Sequence, residues 1–373
     1  METTKIKVAL IGCGRIAYKH IESLATLFKQ YELVAVCDVV EERAKEKAQT
    51  YEKRTLNLVE NTLKVPLIYT DYQKLLNEID FDLGIVATES GNHYLHVMDL
   101  LNEKKHVLVE KPIALSTQHA SEMIELAKEN GLLLGVCHQN RFNPPVQALR
   151  NAVKENRFGK MINGTARILW SRDQSYYEQA PWRGTALMDG GTLMNQCIHN
   201  IDLLLWMMNS PVKTVYAQTG TFLRDIEMED FGAIVIRFES GAIGIVEGSA
   251  CVYPKNLEET LSMFGETGTV VIGGLAVNEI QTWKFEETIQ ADQQALKKTE
   301  AIDNVYGNGH LSLYENVYNA ILGSEKLLID GAEGAKAMKV ILAAYQSQVE
   351  GRAVNFETLD YSTLEALRGR LNE

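Results

Sequence analysis

The chain lacks several features that would place it in a specialised class of protein. No apolar run in its 373 residues approaches the roughly 18 residues that cross a bilayer, and no signal-peptide-like segment precedes the first strand. Its five cysteines are scattered and lie mostly in apolar segments, which argues against a disulfide framework and a zinc site. We therefore expect a soluble, cytoplasmic protein with reduced thiols and no bound metal.

Positive charge is also scarce. The formal net charge is −12 at pH 7, and charged residues make up 23% of the chain. This balance argues against nucleic acid or an anionic membrane as the main partner, although a local cluster of basic side chains can still bind a small anion. The length predicts two domains, and the hydrophobic content of 46% is ordinary for a globular protein.

The first half of the chain alternates apolar strands with helices. The strand at residues 6–11 runs into a G-x-G-x-x-A turn, and a helical apolar period follows it. This arrangement lets backbone N–H groups approach a pyrophosphate at a helix N-terminus. The second strand ends at Asp38, whose carboxylate can bind the ribose hydroxyls of NAD and would repel the 2′-phosphate of NADP. We therefore predict NAD as the cofactor, with NADP the less favoured alternative.

Further polar residues stand at the ends of later strands in this half. One predicted strand ends at Thr88, with His93 in the next loop, and another runs into Glu110, Lys111 and Pro112. Proline removes a backbone donor and ends the strand. Because parallel strands end at one edge of a sheet, we predict a doubly wound parallel sheet with a ligand crevice there. Lysine suits proton transfer near neutral pH because its pKa falls readily on desolvation, so Lys111 is a candidate catalytic residue.

After residue 140 the pattern changes to a two-residue period. Five segments predict strands of a mainly antiparallel sheet, at 162–172, 214–222, 231–240, 243–253 and 261–273. Among them stands one helix, beginning near residues 189–192, that carries Asn195 and His199 on one face. An imidazole beside an amide can orient a hydroxyl and exchange its proton. We predict a nucleotide-binding domain over 1–138 and a C-terminal α+β domain over 139–373.

Taken in order, these motifs resemble the glucose–fructose oxidoreductase / inositol dehydrogenase / MocA (Gfo/Idh/MocA) family over essentially the whole chain. The residues that carry the resemblance are Gly12, Gly14, Ala17, Thr88, His93, Glu110, Lys111, Pro112, Gln139, Arg141, Asn143, Pro144, Trp182, Arg183, Gly190, Gly191, Asn195, His199 and Asp202, with a further run between 330 and 352. The resemblance implies an α/β protein with an N-terminal Rossmann domain and a C-terminal open sheet that packs in dimers or tetramers. It also implies an NAD(P)-dependent dehydrogenase of sugar or cyclitol alcohols.

The resemblance also implies roles for single residues. Lys111 would contact the reacting hydroxyl and His199 would serve as acid and base. The position four residues before the histidine is commonly an aspartate, and this chain has Asn195, which we expect only to position the substrate. The implied cofactor contacts are Gly12, Gly14, Arg15, Ile16, Asp38, Thr88, His93, Glu110, Lys111 and Gln139.

The segments at 174–199 and 305–310 resemble the nucleotide-sugar branch of this family. We therefore predict hydride transfer from a sugar or nucleotide-sugar secondary alcohol, such as the C3 hydroxyl of a UDP-N-acetyl-hexosaminuronate. The guanidinium fork suits a carboxylate or diphosphate, so the predicted substrate residues are Asn195, Arg141, Arg172, Arg183 and Asp202. Each arginine also fits an ordinary salt bridge, and Asp202 fits a solvated helix face. A free-sugar or inositol dehydrogenase and a non-catalytic NAD-binding sensor remain alternatives.

Overall fold

The structure is a computed structural model that describes residues 4–56, 65–274, 276–298 and 307–371. Its strands are β1 Ile6–Ile11, β2 Tyr31–Cys37, β3 Leu67–Tyr69, β4 Leu83–Val86, β5 His106–Val109, β6 Leu134–Val136, β7 Met161–Leu169, β8 Val212–Gly220, β9 Phe231–Phe238, β10 Ile243–Ser249, β11 Glu258–Gly265, β12 Gly268–Gly273, β13 Glu279–Phe285 and β14 Val354–Asn355. Its α-helices are α1 Ala17–Thr26, α2 Glu41–Leu56, α3 Tyr72–Glu78, α4 His93–Asn102, α5 Thr117–Glu129, α6 Pro144–Lys154, α7 Gln174–Glu178, α8 Ile198–Met208, α9 Gln290–Leu296, α10 Gly309–Ile321, α11 Gly331–Glu350 and α12 Thr363–Arg370. Residues 305 and 306 of the segment that resembles the nucleotide-sugar branch lie outside the described residues.

The chain divides into two compact units, and neither is a continuous stretch of sequence. Unit 1 contains Met1–Ala114, His119–Cys137 and His310–Gly334. Unit 2 contains Leu115–Gln118, His138–Gly309 and Ala335–Glu373. Nearly all of α10 therefore belongs to unit 1, although a single boundary after residue 138 assigns it to the second domain. That boundary stays a prediction.

Unit 1 is built on a six-stranded parallel sheet with the order β3-β2-β1-β4-β5-β6. Its central strands are apolar on both faces, and Val8, Leu10 and Ile85 are fully buried. Runs of this kind form in sheets that helices cover on both sides. The strand order reverses between β1 and β4, and ligands bind outside the carboxyl ends of the strands at such a switch point. The predicted doubly wound parallel sheet is confirmed.

Unit 2 is built on an eight-stranded sheet with the order β13-β12-β11-β7-β10-β9-β8-β14. Every neighbouring pair is antiparallel except β7 with β10, so the predicted mainly antiparallel sheet is confirmed. The sequence pattern does not predict β13, because its residues are mostly exposed or half-buried and show no clean apolar alternation. Nor does it predict β14, which has only two residues and is too short to show a period.

Among the described residues, no helix combines the length and the apolar character that a bilayer-spanning segment needs.

Candidate active site

The loop after β1 in unit 1 has the geometry of a dinucleotide-binding turn. Gly12 has a φ of +95°, and a Cβ there would lie 2.5 Å from the carbonyl group of Ala87, so only glycine fits. A Cβ on Gly14 would meet nothing within 4 Å, so the space above the loop is open. Helix α1 begins three residues later, at Ala17. The open space beside this loop and the N-terminus of α1 fits a pyrophosphate.

Asp38 follows β2 and faces this loop. Its Oδ2 accepts a hydrogen bond from the Cys13 N–H at 2.8 Å, and its Oδ1 accepts one from the Val40 N–H at 2.9 Å. An ionised carboxylate has about four acceptor positions, so Asp38 keeps capacity for ribose hydroxyls. Nη1 of the exposed Arg43 lies 4.0 Å from Oδ1. The loop and this carboxylate together fit NAD.

Hydrogen bonds fix the positions of Thr88 and His93, the two predicted site residues that follow β4. Both ring nitrogens of the buried His93 face carbonyl oxygens, Nδ1 that of Pro112 at 2.7 Å and Nε2 that of Thr88 at 3.2 Å. Burial lowers the pKa of His93, despite these hydrogen bonds, so the ring is neutral near pH 7 and donates to one carbonyl at a time. The Thr88 hydroxyl lies 3.1 Å from His96 Nδ1. His93 therefore ties the β4 loop to the turn after β5, and direct cofactor contact by Thr88 and His93 stays a prediction.

Lys111 stands half-buried directly after β5, next to a buried carboxylate. Glu110 Oε1 lies 3.1 Å from His20 Nε2, and Oε2 accepts the Lys111 backbone N–H at 3.3 Å. Burial alone would raise the pKa of Glu110, but the hydrogen bond and charge of His20, with His310 and Lys111, outweigh it and hold that pKa below its ordinary value. Glu110 is therefore an ionised group held by the protein, and its predicted cofactor contact remains untested.

Glu110 belongs to a cluster that the sequence analysis missed. Among the described residues, one group of three side chains has donor atoms that could hold a metal ion, within 4.8 Å of one another: His20, Glu110 and Cys137. Burial, with the nearby Glu110, raises the pKa of the Cys137 thiol well above its ordinary value. The thiol keeps its proton and is a poor metal ligand in this state. The one sequence signal is that His20 lies on the apolar face of the helix that follows the glycine turn.

In unit 2, Asn195 and His199 lie on two different kinds of helix. Asn195 is in a π-helix at Leu193–Cys197, and His199 is the second residue of α8, where we predicted a single helix. Gly248 of β10 explains how the wider turn fits, because a Cβ there would lie 2.7 Å from the Cys197 sulfur. Single π-helical turns occur frequently at functional sites.

The groups around Asn195 and His199 fix both side chains. The Asn195 amide donates a hydrogen bond to Oδ1 of the buried Asp189, whose Oδ2 accepts the Gly184 N–H at 2.7 Å. The imidazole of the half-buried His199 lies edge-on to that of the buried His138, with ring centroids 5.6 Å apart. Asp189 and His138 are not among the predicted site residues, although Asp189 directly precedes the glycine pair Gly190 and Gly191.

The structure brings Arg172, Arg183 and Asn195 into one hydrogen-bond network through Tyr176 and Gln196. Arg172 Nε donates to Gln196 Oε1 at 3.1 Å, and Arg183 Nη1 donates to the Tyr176 hydroxyl at 2.6 Å. The Gln196 amide donates to the Tyr176 hydroxyl at 3.0 Å and to the Asn195 carbonyl oxygen. Neither guanidinium forms an ion pair with a carboxylate of the described residues. The hydrogen-bond partners of these two half-buried positive charges are therefore neutral, and the charge of Arg172 also acts on the buried Glu259, whose pKa burial raises and this charge partly lowers.

Arg141 and Asp202 lie in a different environment. Arg141 Nε and Nη2 donate to the two carboxylate oxygens of Asp202 at 2.8 and 2.7 Å, and both side chains are 1% exposed. Burial would raise the pKa of Asp202, but Arg141 and His138 lower it below its ordinary range. The interpretation of Asp202 as a solvated face residue is therefore wrong. Substrate contacts by Arg141 and Asp202 stay a prediction, as does cofactor contact by Gln139, which is buried in unit 2.

Comparisons with known proteins agree with this geometry. The family model described as the GFO_IDH_MocA oxidoreductase family, NAD-binding Rossmann fold, matches residues 6–138, and that of the GFO/IDH/MocA C-terminal domain matches residues 146–271. The WlbA dehydrogenase of Chromobacterium violaceum, solved with NADH and UDP-GlcNAcA, is 35% identical with a TM-score of 0.85, over 95% of this chain and 97% of that one. The WlbA dehydrogenase of Bordetella pertussis, solved with the same two ligands, is 34% identical with a TM-score of 0.84, over 95% and 99%. A myo-inositol 2-dehydrogenase of Thermotoga maritima is 26% identical over 94% of this chain and 99% of its own length.

The chain belongs to the GFO/IDH/MocA oxidoreductase family, as the resemblance drawn from its motifs indicated. It is an NAD(P)-dependent dehydrogenase that acts on CH–OH groups, and its cofactor is NAD.

Proposed function

We propose that the enzyme oxidises a secondary alcohol of an anionic nucleotide sugar, such as the C3 hydroxyl of a UDP-N-acetyl-hexosaminuronate. The observation that carries this proposal is the network of Arg172, Arg183, Tyr176 and Gln196, in which two guanidinium groups lack a carboxylate partner among the described residues. A substrate carboxylate or diphosphate would supply the missing negative charge. The two WlbA dehydrogenases, whose structures hold UDP-GlcNAcA, are similar to this chain over nearly its whole length.

The aromatic rings of this network support the same class of substrate. The Arg172 guanidinium lies 4.7 Å from the centroid of the Trp170 ring, and that of Arg183 lies 4.5 Å from that of Trp182. Rings stacked on guanidinium groups limit the freedom of the arginine side chains, so less entropy is lost when the planar fork binds an anion. This preorganisation suits the recognition of a charged ligand.

We propose that Lys111 and His199 handle the proton of the reacting hydroxyl. Bound NAD would supply the acceptor for the hydride that leaves the carbinol carbon. Gly12, Gly14, Arg15, Ile16 and Asp38 would hold this cofactor. The Lys111 ammonium donates a hydrogen bond to the reacting oxygen, and the His199 imidazole accepts the hydroxyl proton as general base. Asn195 is an amide that takes no proton near neutral pH, and its role is to orient the substrate.

The substrate proposal is tested by binding and turnover together. Purified protein is titrated with UDP, UDP-GlcNAcA, UDP-GlcNAc and myo-inositol in thermal-shift measurements, and NADH formation is followed with each sugar. We expect the acidic nucleotide sugar to stabilise the protein most and to be oxidised. No affinity for UDP or its sugars, with turnover of a free sugar or inositol, would favour the alternative supported by the myo-inositol 2-dehydrogenase relative. Tight NAD binding without any turnover would favour the sensor.

The catalytic assignment is tested by Lys111→Ala and His199→Ala. General acid–base groups contribute about 10²–10⁴-fold, so each variant should lose activity in that range. NAD binding, measured by titration calorimetry, should persist in both. The matched controls are Lys74→Ala, on the exposed side of α3, and His106→Ala, at the opposite end of β5 from Lys111. Full activity in both active-site variants would contradict the assignment.

We also propose that the enzyme is a homodimer or homotetramer that forms through the open face of the unit 2 sheet. Alternate residues of β8, β9 and β10 leave large apolar side chains exposed on that face: Tyr216, Val235, Ile243 and Ile245. A contiguous apolar face of this kind marks an interaction surface. Light scattering should show an oligomer for the native chain and a smaller species for Ile245→Glu. A monomeric native protein would contradict the proposed oligomer.

A further inference from the structure

A buried chain of polar contacts joins the Glu110-Lys111 turn to α10 within unit 1. Glu110 Oε1 lies 3.1 Å from His20 Nε2, and Nδ1 of the same imidazole lies 2.8 Å from the Tyr314 hydroxyl. His20 and Tyr314 are 0% exposed, and Glu110 is 6% exposed. The proposed reaction assigns no role to His20 or Tyr314. Buried polar networks are costly unless their members satisfy one another, so their position next to Lys111 needs an explanation.

The chemistry of these groups determines where the hydrogens lie. An ionised carboxylate only accepts hydrogen bonds, so the contact with Glu110 places a hydrogen on His20 Nε2. Burial, with Cys137, Tyr31 and Glu110 nearby, raises the pKa of Tyr314 well above its ordinary value. The Tyr314 hydroxyl therefore keeps its proton and can donate it in the 2.8 Å contact with His20 Nδ1.

We propose that His20 is a positioning residue for Lys111: it holds the buried Glu110 carboxylate ionised, and that carboxylate keeps Lys111 in place and favours its ammonium form. One hydrogen bond and one charge interaction carry this step. Glu110 Oε2 accepts the Lys111 backbone N–H at 3.3 Å, and the positive charge of Lys111 helps to lower the pKa of Glu110. An adjacent opposite charge favours the charged form of a side chain. The importance of His20 for catalysis rests on the proposed function, because that function assigns the hydrogen bond to the reacting oxygen to the ammonium.

The other titratable groups facing Glu110 cannot replace His20. They come from four different parts of unit 1: Lys111 beside it, His93 of α4, Cys137 after β6, and His310 and Tyr314 of α10. Burial lowers the pKa of His310 to about 3, so His310 is neutral at working pH, and burial lowers the pKa of His93 as well. Cys137 and Tyr314 keep their protons. His20 is the imidazole that lies at ion-pair distance from Glu110.

Lysine reactivity in the cofactor-free protein tests the inference without any substrate. Each variant is acetylated competitively between about pH 6 and pH 11, and mass spectrometry gives the midpoint of Lys111 labelling, with the exposed Lys74 as internal reference. His20→Ala leaves a buried carboxylate without its partner. That carboxylate then binds a proton over part of the pH range of the titration, so we expect the Lys111 midpoint to fall, by up to about one pH unit.

Further variants separate the positioning role from a merely structural one. Glu110→Gln removes the charge at every pH and should lower the midpoint at least as far. The double variant should lower it no further than Glu110→Gln does, because both changes act through the same charge. His20→Gln should give a smaller shift, because its amide can still donate to Glu110. The control is His106→Gln, at the start of β5, where Nδ1 accepts the Leu133 N–H at 3.0 Å, and it should leave the midpoint unchanged.

An unchanged Lys111 midpoint in folded His20→Ala would overturn the inference, and so would additive shifts in the double variant. Circular dichroism checks folding, and if His20→Ala does not fold, the smaller shift in His20→Gln decides the question. Because no sugar enters the labelling, failure of the proposed function leaves this result intact. Once a substrate is known, the alkaline limb of the pH–rate profile of each variant should move in the same direction as its Lys111 labelling midpoint.

Discussion

Unit 2 holds arginines in two contrasting environments. Arg141 is 1% exposed and makes a bidentate pair with Asp202, so its charge is neutralised inside the protein. Arg172 and Arg183 are half-buried and held by Tyr176, Gln196 and other neutral groups. The first arrangement needs nothing from outside, whereas the second leaves positive charge for an anion. The partner of a guanidinium, rather than its place in a motif, thus separates an arginine that maintains the fold from one that can bind a ligand.

The largest expected effect comes from removing both unpaired charges, in Arg172→Met/Arg183→Met. A hydrogen bond to a charged group contributes about 1.5–3 kcal/mol, so we expect kcat/KM for an acidic nucleotide sugar to fall by about 10²–10⁴-fold. NAD affinity should be unchanged, because the fall arises on the substrate side. Steady-state kinetics and NAD titration measure the two quantities.

The control for this double variant is Arg157→Met, since Arg157 already pairs with Asp292. Arg157→Met should have nearly the same kcat/KM as the native enzyme when the rates are corrected for the fraction of folded protein. An equal loss in the control, or a parallel loss of NAD affinity, would contradict the distinction between the two kinds of arginine.

Breaking the buried pair of Arg141 and Asp202 should instead lower the free energy of unfolding. Arg141→Met leaves Asp202 as an uncompensated buried charge, which costs about 3–5 kcal/mol of unfolding free energy. Arg141→Met/Asp202→Leu removes both charges and should recover most of that loss. Urea denaturation of the single and double variants gives the comparison, and a single variant as stable as the native chain would refute it.

Asp38 extends the comparison between neutralised and available charges to a carboxylate. Its neighbours are backbone amides and the exposed Arg43, so it keeps negative charge for a ligand. Asp38→Asn keeps an oxygen acceptor and removes the negative charge. Arg43, whose Nη1 lies 4.0 Å from Asp38 Oδ1, is then free to meet a 2′-phosphate. We expect the ratio of NADP to NAD efficiency to rise by about 10-fold. Kinetics with both cofactors test this, and Asp38→Asn/Arg43→Met should lose the gain if Arg43 is responsible.

Glu229 shows that a buried acid can also avoid an unpaired charge by staying protonated. Burial raises its pKa to about 8, even though the Leu193 N–H and the Tyr345 hydroxyl donate to it. The unfolded chain releases this proton near pH 4.3, so stability should fall as the pH rises from about 4 to 8 and level off above that. Glu229→Gln should remove this part of the slope and should be more stable than the native chain at pH 8.

Urea denaturation at several pH values measures the Glu229 effect. Burial also raises the pKa of Glu259 to about 8. Its ionisation therefore lowers the stability of both proteins over the same pH range, and only the difference between them reports on Glu229. Parallel stability curves for Glu229→Gln and the native chain would show that Glu229 is already ionised in the folded state.

The features that the sequence could predict are local. The glycine turn, Asp38 after β2 and Lys111 after β5 each depend on a few neighbouring residues, because strand, turn and helix signals lie within one βαβ unit. The alternation of strands and helices likewise predicts the parallel sheet of unit 1, and the two-residue period predicts the antiparallel sheet of unit 2.

The features that the sequence could not predict depend on contacts between residues far apart in the chain. Arg141 and Asp202 are 61 residues apart, and His20 and Tyr314 are 294 apart, so no spacing rule connects them. The π-helix around Asn195 arises from how closely the chain approaches Gly248 on a neighbouring strand. Tertiary packing, which one sequence does not display, decides all three.

The return of α10 to unit 1 has a consequence for synthesis on the ribosome. The buried Tyr31 hydroxyl of β2 donates to the Tyr314 carbonyl at 2.7 Å, across 283 residues of sequence. All strands of the N-terminal sheet therefore emerge long before the helix that covers Tyr31 is translated. Until that helix is made, the nascent sheet lacks the cover that α10 gives to Tyr31, and a chain cut after residue 138 would never acquire it.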